Sequence, residues 1–88
     1  MTRVACPVCE YLTFDTEDGF PGSYNICAVC FWEDDACQYE DFDYDGGANS
    51  VSVNQAKKNF KECGASEPHL KKSCRPPEPD EIPPDEKN

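Results

Sequence analysis

Two pairs of cysteines carry the most legible chemistry in this chain: Cys6-Pro7-Val8-Cys9 and Cys27-Ala28-Val29-Cys30, separated by seventeen residues. A CxxC unit bends as a knuckle that aims two thiolates at one ion. A spacer of about 15 to 20 residues is the length at which a hairpin brings the second pair opposite the first. The expected product is a tetrahedral four-cysteine zinc site on Cys6, Cys9, Cys27 and Cys30. The same donors also accept iron, so the residues define the geometry and leave zinc and iron both open. Two other uses of such pairs fit less well. A CPxC redox pair expects a thioredoxin-like βαβ context, and a pair of disulfides expects an oxidising compartment. Four thiolates close the coordination shell, which makes the metal structural rather than catalytic. In small zinc modules such binding contributes about 10 to 16 kcal/mol, more than the net stability of most domains. The metal-free chain is therefore expected to be substantially unfolded.

The remaining reactive residues are less organised. Cys63 falls on the apolar face of an expected helix, where a buried thiol acts as a small hydrophobe. Cys37, Cys74 and the single histidine, His69, are spaced in no ligand pattern. Asp41-Phe42-Asp43-Tyr44-Asp45-Gly46 reproduces the start of a calcium loop, with Asn49 at the ninth position, but Ser52 stands where a bidentate Glu is needed. An acidic turn is the better reading. For catalysis, only Glu33, Asp34 and Asp35 offer acid or base groups, and a small hydrolase using them is one alternative function. Phe31 and Trp32, beside the second knuckle, are expected to cover the metal site as core aromatics.

Composition explains why a staple is needed. Leu, Ile, Val and Phe supply 14 of the 88 residues and the net charge is −10, a balance typical of disordered chains. Seven cysteines reverse that expectation, because a metal supplies the folding energy that apolar burial cannot. Between Val4 and Ala56 there is no Lys or Arg against eleven acids. Direct nucleic-acid binding is disfavoured by that face and a basic protein partner is favoured. The candidate contact residues are Glu33, Asp34, Asp35, Glu40, Asp41, Asp43 and Asp45, the alternative being a face that only keeps the chain soluble. There is no signal-peptide-like start and no membrane-length apolar segment, so the expected location is cytoplasmic.

Three regions must position these groups. Residues 4 to about 35 carry the knuckles, with Tyr11-Leu12-Thr13-Phe14 and Tyr24-Asn25-Ile26 expected to pair as a β-hairpin across the turn cluster at 18–22. Residues 36 to 51 are acidic and irregular. Residues 52 to 64 read as a helix: Ser52 caps it, Gln55 completes a capping box, Val53, Ala56, Phe60 and Cys63 share a face, and Gly64 terminates it. Lys57, Lys58 and Lys61 form its solvated side. From Arg75 onward, five prolines in fourteen residues specify an extended tail, mobile or draped over the domain. The expected fold is a small α+β domain over residues 1–74, with zinc-ribbon or rubredoxin-like knuckles, a β-hairpin and one short α-helix. A proline-rich acidic tail follows over 75–88.

The two CxxC pairs, the run Cys27 to Asp35, Gly46-Gly47-Ala48-Asn49 leading into the Ser52 helix, Gly64-Ala65-Ser66 and Arg75-Pro76-Pro77 together resemble the bacterial CPCC cysteine-rich family over about residues 6 to 79. Val8 stands where the family's name implies Cys, and Glu10 where a Gly usually follows a knuckle. The resemblance implies a small zinc-binding domain and assigns no activity. Size and charge point to a non-enzymatic interaction module, most concretely a cytosolic immunity-type protein that neutralises a basic toxin domain. The other readings are an accessory subunit of a nucleic-acid machine, the small hydrolase, and a metal or redox sensor.

Overall fold

A computed structural model describes residues 3–84. Strand β1 (Arg3–Val4) pairs antiparallel with β2 (Phe14–Asp15), Arg3 opposite Asp15 and Val4 opposite Phe14. The first knuckle lies between them. The second is enclosed in the same way: Ile26 bridges Glu33, the Tyr24 N–H donates to Asp34 O at 2.9 Å, and the Cys27 N–H donates to Trp32 O at 2.8 Å. The expected hairpin between residues 11–14 and 24–26 is therefore replaced by two narrow ribbons, each closed by its own CxxC. The physical reason is loop closure. A knuckle reverses the chain within a few residues, so the nearest antiparallel partner lies just across it and costs least entropy to reach. The segment between the ribbons is occupied by a 3-10 turn, Thr16–Asp18, which ends at left-handed Gly19.

Two α-helices follow, where one was expected. Helix α1 (Ala36–Glu40) rises from the region read as irregular, because Asp35 caps it by accepting the Gln38 N–H. Five residues of unremarkable propensity do not announce a helix, and here a single cap and burial of Gln38 are sufficient. Helix α2 (Val53–Cys63) lies where the sequence places it. The Ser52 hydroxyl accepts the Gln55 N–H, and Gly64, at φ 85°, ends the helix with its N–H bonded to Phe60 O. The Gln55 side chain, expected to reach back to the cap, instead bonds Asn59 one turn on at 2.9 Å.

The core is built around the cysteines. Cys6, Cys27 and Cys30 are inaccessible and Cys9 nearly so, packed with Val8, Val29, Phe14, Trp32, Val53 and Ala56. Trp32 covers the cluster as expected, whereas Phe31 is half-buried. Val8 and Val29 occupy the same place in their two knuckles, and both point inward.

A polar assembly holds the acidic loop to this core. Gln38 is completely buried; its amide nitrogen donates to the carbonyls of Tyr44, Asn49 and Val51, and its oxygen accepts from the Asn49 backbone and side chain. Asn49 in turn pairs with both backbone groups of Glu33 at 2.8 Å, standing in for a neighbouring strand. The loop approaches so closely that a β-carbon at Gly47 would come within 2.8 Å of Asp35 and Gln38, so only glycine fits.

Residues 75–84 drape over the knuckles. The Arg75 N–H donates to Ala28 O at 3.1 Å, and the Leu12 N–H to Glu81 O at 2.7 Å, so the tail ties the second knuckle to the first. Glu81, in the 3-10 turn Pro79–Glu81, is buried and accepts two bonds from the Arg75 guanidinium at 2.9 and 2.8 Å. Arg3 lies 3.8 Å from the same carboxylate. Residues 85–88 of the expected tail lie outside the described residues.

The Arg75 guanidinium holds the Glu81 carboxyl below its ordinary value, against the opposing effect of burial. A depressed folded-state pKa contributes stability above the unfolded value that is lost as pH falls through the folded one. Glu81→Gln is expected to lower stability at neutral pH by about 2 kcal/mol. The gap between variant and parent should begin to narrow as pH falls past the ordinary glutamate value of about 4.3 and close only below the depressed folded-state value, where Glu81 is protonated in both states of the parent. Paired urea unfolding curves across pH measure it; an unchanged gap at low pH would contradict this account.

Candidate metal centre

The two knuckles repeat one backbone geometry. In the first, the Glu10 N–H bonds Cys6 O and the Cys6 N–H bonds Tyr11 O, each at 2.9 Å; in the second, the Phe31 N–H bonds Cys27 O at 2.7 Å and the Cys27 N–H bonds Trp32 O at 2.8 Å. The residue after each second cysteine turns left-handed, Glu10 at φ 69° and Phe31 at φ 68°. Glycine takes that conformation freely and other residues at a cost of about 1 kcal/mol. Both knuckles nevertheless close, so Glu10 leaves the turn intact.

Facing knuckles bring four sulfur atoms together. The Sγ atoms of Cys6, Cys9, Cys27 and Cys30 lie within 4.8 Å of one another; Cys6 and Cys30 are 3.6 Å apart, Cys9 and Cys27 3.7 Å. A tetrahedron with metal–sulfur bonds of about 2.3 Å has an edge of about 3.8 Å, so the cage fits one four-coordinate ion of the size of zinc or iron. These four cysteines would hold it, and with every donor supplied by protein there is no free position for substrate.

Charge explains why the cage wants a cation. Hydrogen bonds from Cys30, Cys6 and Cys9 push the Cys27 thiol down, while burial pushes Cys6 up and its bond to Cys27 pushes Cys30 up. Burial and the bonds among the sulfurs thus oppose ionisation of Cys6 and Cys30, and a divalent ion would offset that opposition. Two donors outside the cage already point at sulfur. The Thr13 hydroxyl lies 3.0 Å from Cys27 Sγ, and the Val8 N–H lies 3.4 Å from Cys6 Sγ. Thr13 sits one residue before β2, and nothing in its sequence context announces it as part of the site.

The other candidates do not converge. Asp34 and Asp35, expected to meet a partner or act as acid and base, are buried and committed to the backbone. Asp34 Oδ2 accepts from the N–H groups of Gly22 and Ser23 and from the Ser23 hydroxyl, at 2.9, 2.8 and 2.7 Å. Asp35 takes the Gln38 N–H at 3.0 Å and the Ala48 N–H at 2.9 Å. Burial alone would raise the Asp35 carboxyl, but these bonds and one from Cys37 hold it below its ordinary value. Both acids are therefore buried and hold local backbone, Asp34 through Oδ2 and Asp35 through both oxygens. Glu33 is half-buried, whereas Glu40, Asp41, Asp43 and Asp45 are exposed.

The calcium-loop residues likewise do other work: Asp41 accepts the Asp43 N–H, Asp43 accepts from the Asn54 side chain, and Asn49 is turned inward to Glu33. Cys63 is half-buried rather than buried, its sulfur directed at Ala65 O. Cys37 and His69 are exposed, and Cys74 points to Leu70 O. Among the described residues, only Cys6, Cys9, Cys27 and Cys30 group as metal ligands.

A small chain whose core holds a cage of four thiols fits a structural metal-binding module. The particular lineage follows from comparison: the cysteine-rich CPCC family model matches residues 4–81, and the chain belongs to that family. No curated protein matches it. The matched span includes Arg75 and Glu81, so the described tail as far as residue 81 falls within the family's own pattern.

Two outcomes test the centre. Replacing Thr13 by Val, which keeps shape and removes the hydroxyl, is expected to speed metal loss to a chelator by about tenfold. A rate equal to the parent would remove Thr13 from the site. Glu10→Gly is expected to raise the melting temperature of the metal-loaded protein by several degrees, since about 1 kcal/mol of left-handed strain is relieved and only an exposed contact to Lys57 at 3.2 Å is lost.

Proposed function

We propose that this protein is a non-enzymatic interaction module, folded around a structural zinc in zinc-ribbon-like knuckles, that binds a basic protein. The observation that carries the reading is the surface built by α1 and the loop after it. Glu40, Asp41, Asp43 and Asp45 are exposed there, and among the described residues none of them forms an ion pair. Tyr39 and Tyr44, exposed by 39% and 42%, lie among them. Tyrosines within a field of one sign supply the two parts of an interface, apolar anchors and charge that steers the partner. The buried Gln38 and Asn49 network holds this loop in one conformation before any partner arrives, which lowers the entropy lost on binding.

In its most concrete form, the protein is a cytoplasmic immunity-type factor that neutralises a basic toxin domain. Neutralising a cationic surface needs a compact acidic one, and the chain supplies that at small size. Exclusion of direct nucleic-acid contact follows from the same charge, because phosphate repels carboxylates. Changing Asp41, Asp43 and Asp45 together to Asn is expected to slow association with a basic effector encoded beside this gene by about tenfold or more at low salt. The difference should shrink as salt rises. Stopped-flow association over a salt series measures it, and absence of binding by the parent protein would overturn the immunity reading.

A further inference from the structure

A cleft of about 320 Å³, open to solvent, lies where both knuckles meet α2 and the returning tail, with buried Val29 at its base. Its walls are apolar: Tyr11 follows the first knuckle, Val29 lies within the second, Phe60 comes from α2, and Pro76 and Pro77 from the tail. In a chain of net charge −10, no carboxylate lines it. Its charged groups are Lys71 and Arg75. Six of the chain's eight lysines and arginines, Lys57, Lys58, Lys61, Lys71, Lys72 and Arg75, lie between positions 57 and 75.

The two charged groups differ in availability. The Arg75 guanidinium is engaged by both oxygens of Glu81. Lys71 forms no ion pair among the described residues. Its ammonium lies over the C-terminal end of α2, so close that a β-carbon at Gly64 would come within 2.5 Å of it, and the helix dipole favours a cation at that place. The cleft thus presents an apolar lining and one positive charge with no ion-pair partner among the described residues.

We propose that this cleft is a peptide-docking site for an extended partner segment in which a large apolar side chain stands next to a single carboxylate. The apolar side chain fills the space between Phe60 and Pro77, and the carboxylate meets Lys71. One ammonium matches one negative charge; a phosphate dianion would stay half-compensated in a protein that is already strongly acidic. Openness favours a chain that enters and leaves over a small molecule, which binds best when most of its surface is enclosed. This site shares no residue with the acidic surface assigned above, and its ligand carries the opposite charge, so either reading stands or falls without the other.

The test uses the full chain in its metal-loaded form, with backbone amide NMR as the readout and acetyl-Ala-Phe-Glu-Ala-amide as the probe. Saturable shifts at Tyr11, Gly64, Lys71 and Arg75 are expected. Replacing the probe's Glu by Gln, or the protein's Lys71 by Gln, should each weaken binding by about three- to five-fold, the range of an exposed charge pair. Lys71→Glu should reverse the preference toward acetyl-Ala-Phe-Lys-Ala-amide. Because Lys71 is exposed, both variants retain the fold, and the unshifted remainder of the spectrum verifies it. Absence of saturable shifts, shifts that map outside the cleft, or equal affinity for the Glu and Gln peptides would each overturn the proposal. So would 3-phenylpropionate binding as tightly as the peptide, which would assign the cleft to a small carboxylate instead.

Discussion

Four sulfur atoms packed within 4.8 Å of one another impose the constraint from which the rest of this structure follows. As thiols they are ordinary core atoms; as thiolates they repel, and only a cation at the centre reconciles their charge with their burial. Each layer around them serves that arrangement. The knuckles fix pairs of sulfurs through backbone bonds, Val8, Val29 and Trp32 exclude water, and Thr13 donates to one sulfur from outside. Besides the cysteines, only a few large side chains are fully enclosed among the described residues, so little apolar burial stands beside the cage.

The acids divide into two physical classes that the sequence runs together. Asp34, Asp35 and Glu81 are buried and each satisfies donors that would otherwise be orphaned: the turn at Gly22 and Ser23, the start of α1 with the Ala48 N–H, and the Arg75 guanidinium. Glu40, Asp41, Asp43 and Asp45 stand in solvent, where their charge acts at a distance. Much of the net charge therefore remains available as a field, while a smaller share is consumed as internal hydrogen bonding. The same division holds among the cations. Arg75 is fixed to Glu81 and Lys57 contacts Glu10, whereas Lys71 is placed at a helix end and left to meet something else.

Asn49 and Gln38 show how a fold with two short strands among the described residues satisfies its backbone. Where a wider sheet would supply a neighbouring strand to Glu33, the Asn49 amide does so with one donor and one acceptor. Gln38 performs the matching task for three loop carbonyls. Side-chain amides carry both functions on one group, which is why two of them replace a strand at so little length. The tail completes the enclosure from the other side, through Ala28 O and the Leu12 N–H.

Local signals in the sequence determined the cage residues and α2. A CxxC closes on itself regardless of what surrounds it, and the spacing of seventeen residues limits how far apart two knuckles fall. Ser52, the apolar period and Gly64 likewise specify a helix within one stretch of chain. Tertiary structure alone decided the strand partners, α1 and the fate of the acids. Pairing across each knuckle competes with pairing between segments, and composition does not reveal which loop closes at lower cost. Asp34 and Asp41 look alike as residues; one is buried because backbone N–H groups converge on it from twelve and eleven positions away, the other is exposed and accepts the N–H of Asp43, only two positions on. Thr13 meets Cys27 across fourteen residues, Arg3 approaches Glu81 from the opposite end of the chain, and both contacts exist only after the knuckles have faced each other.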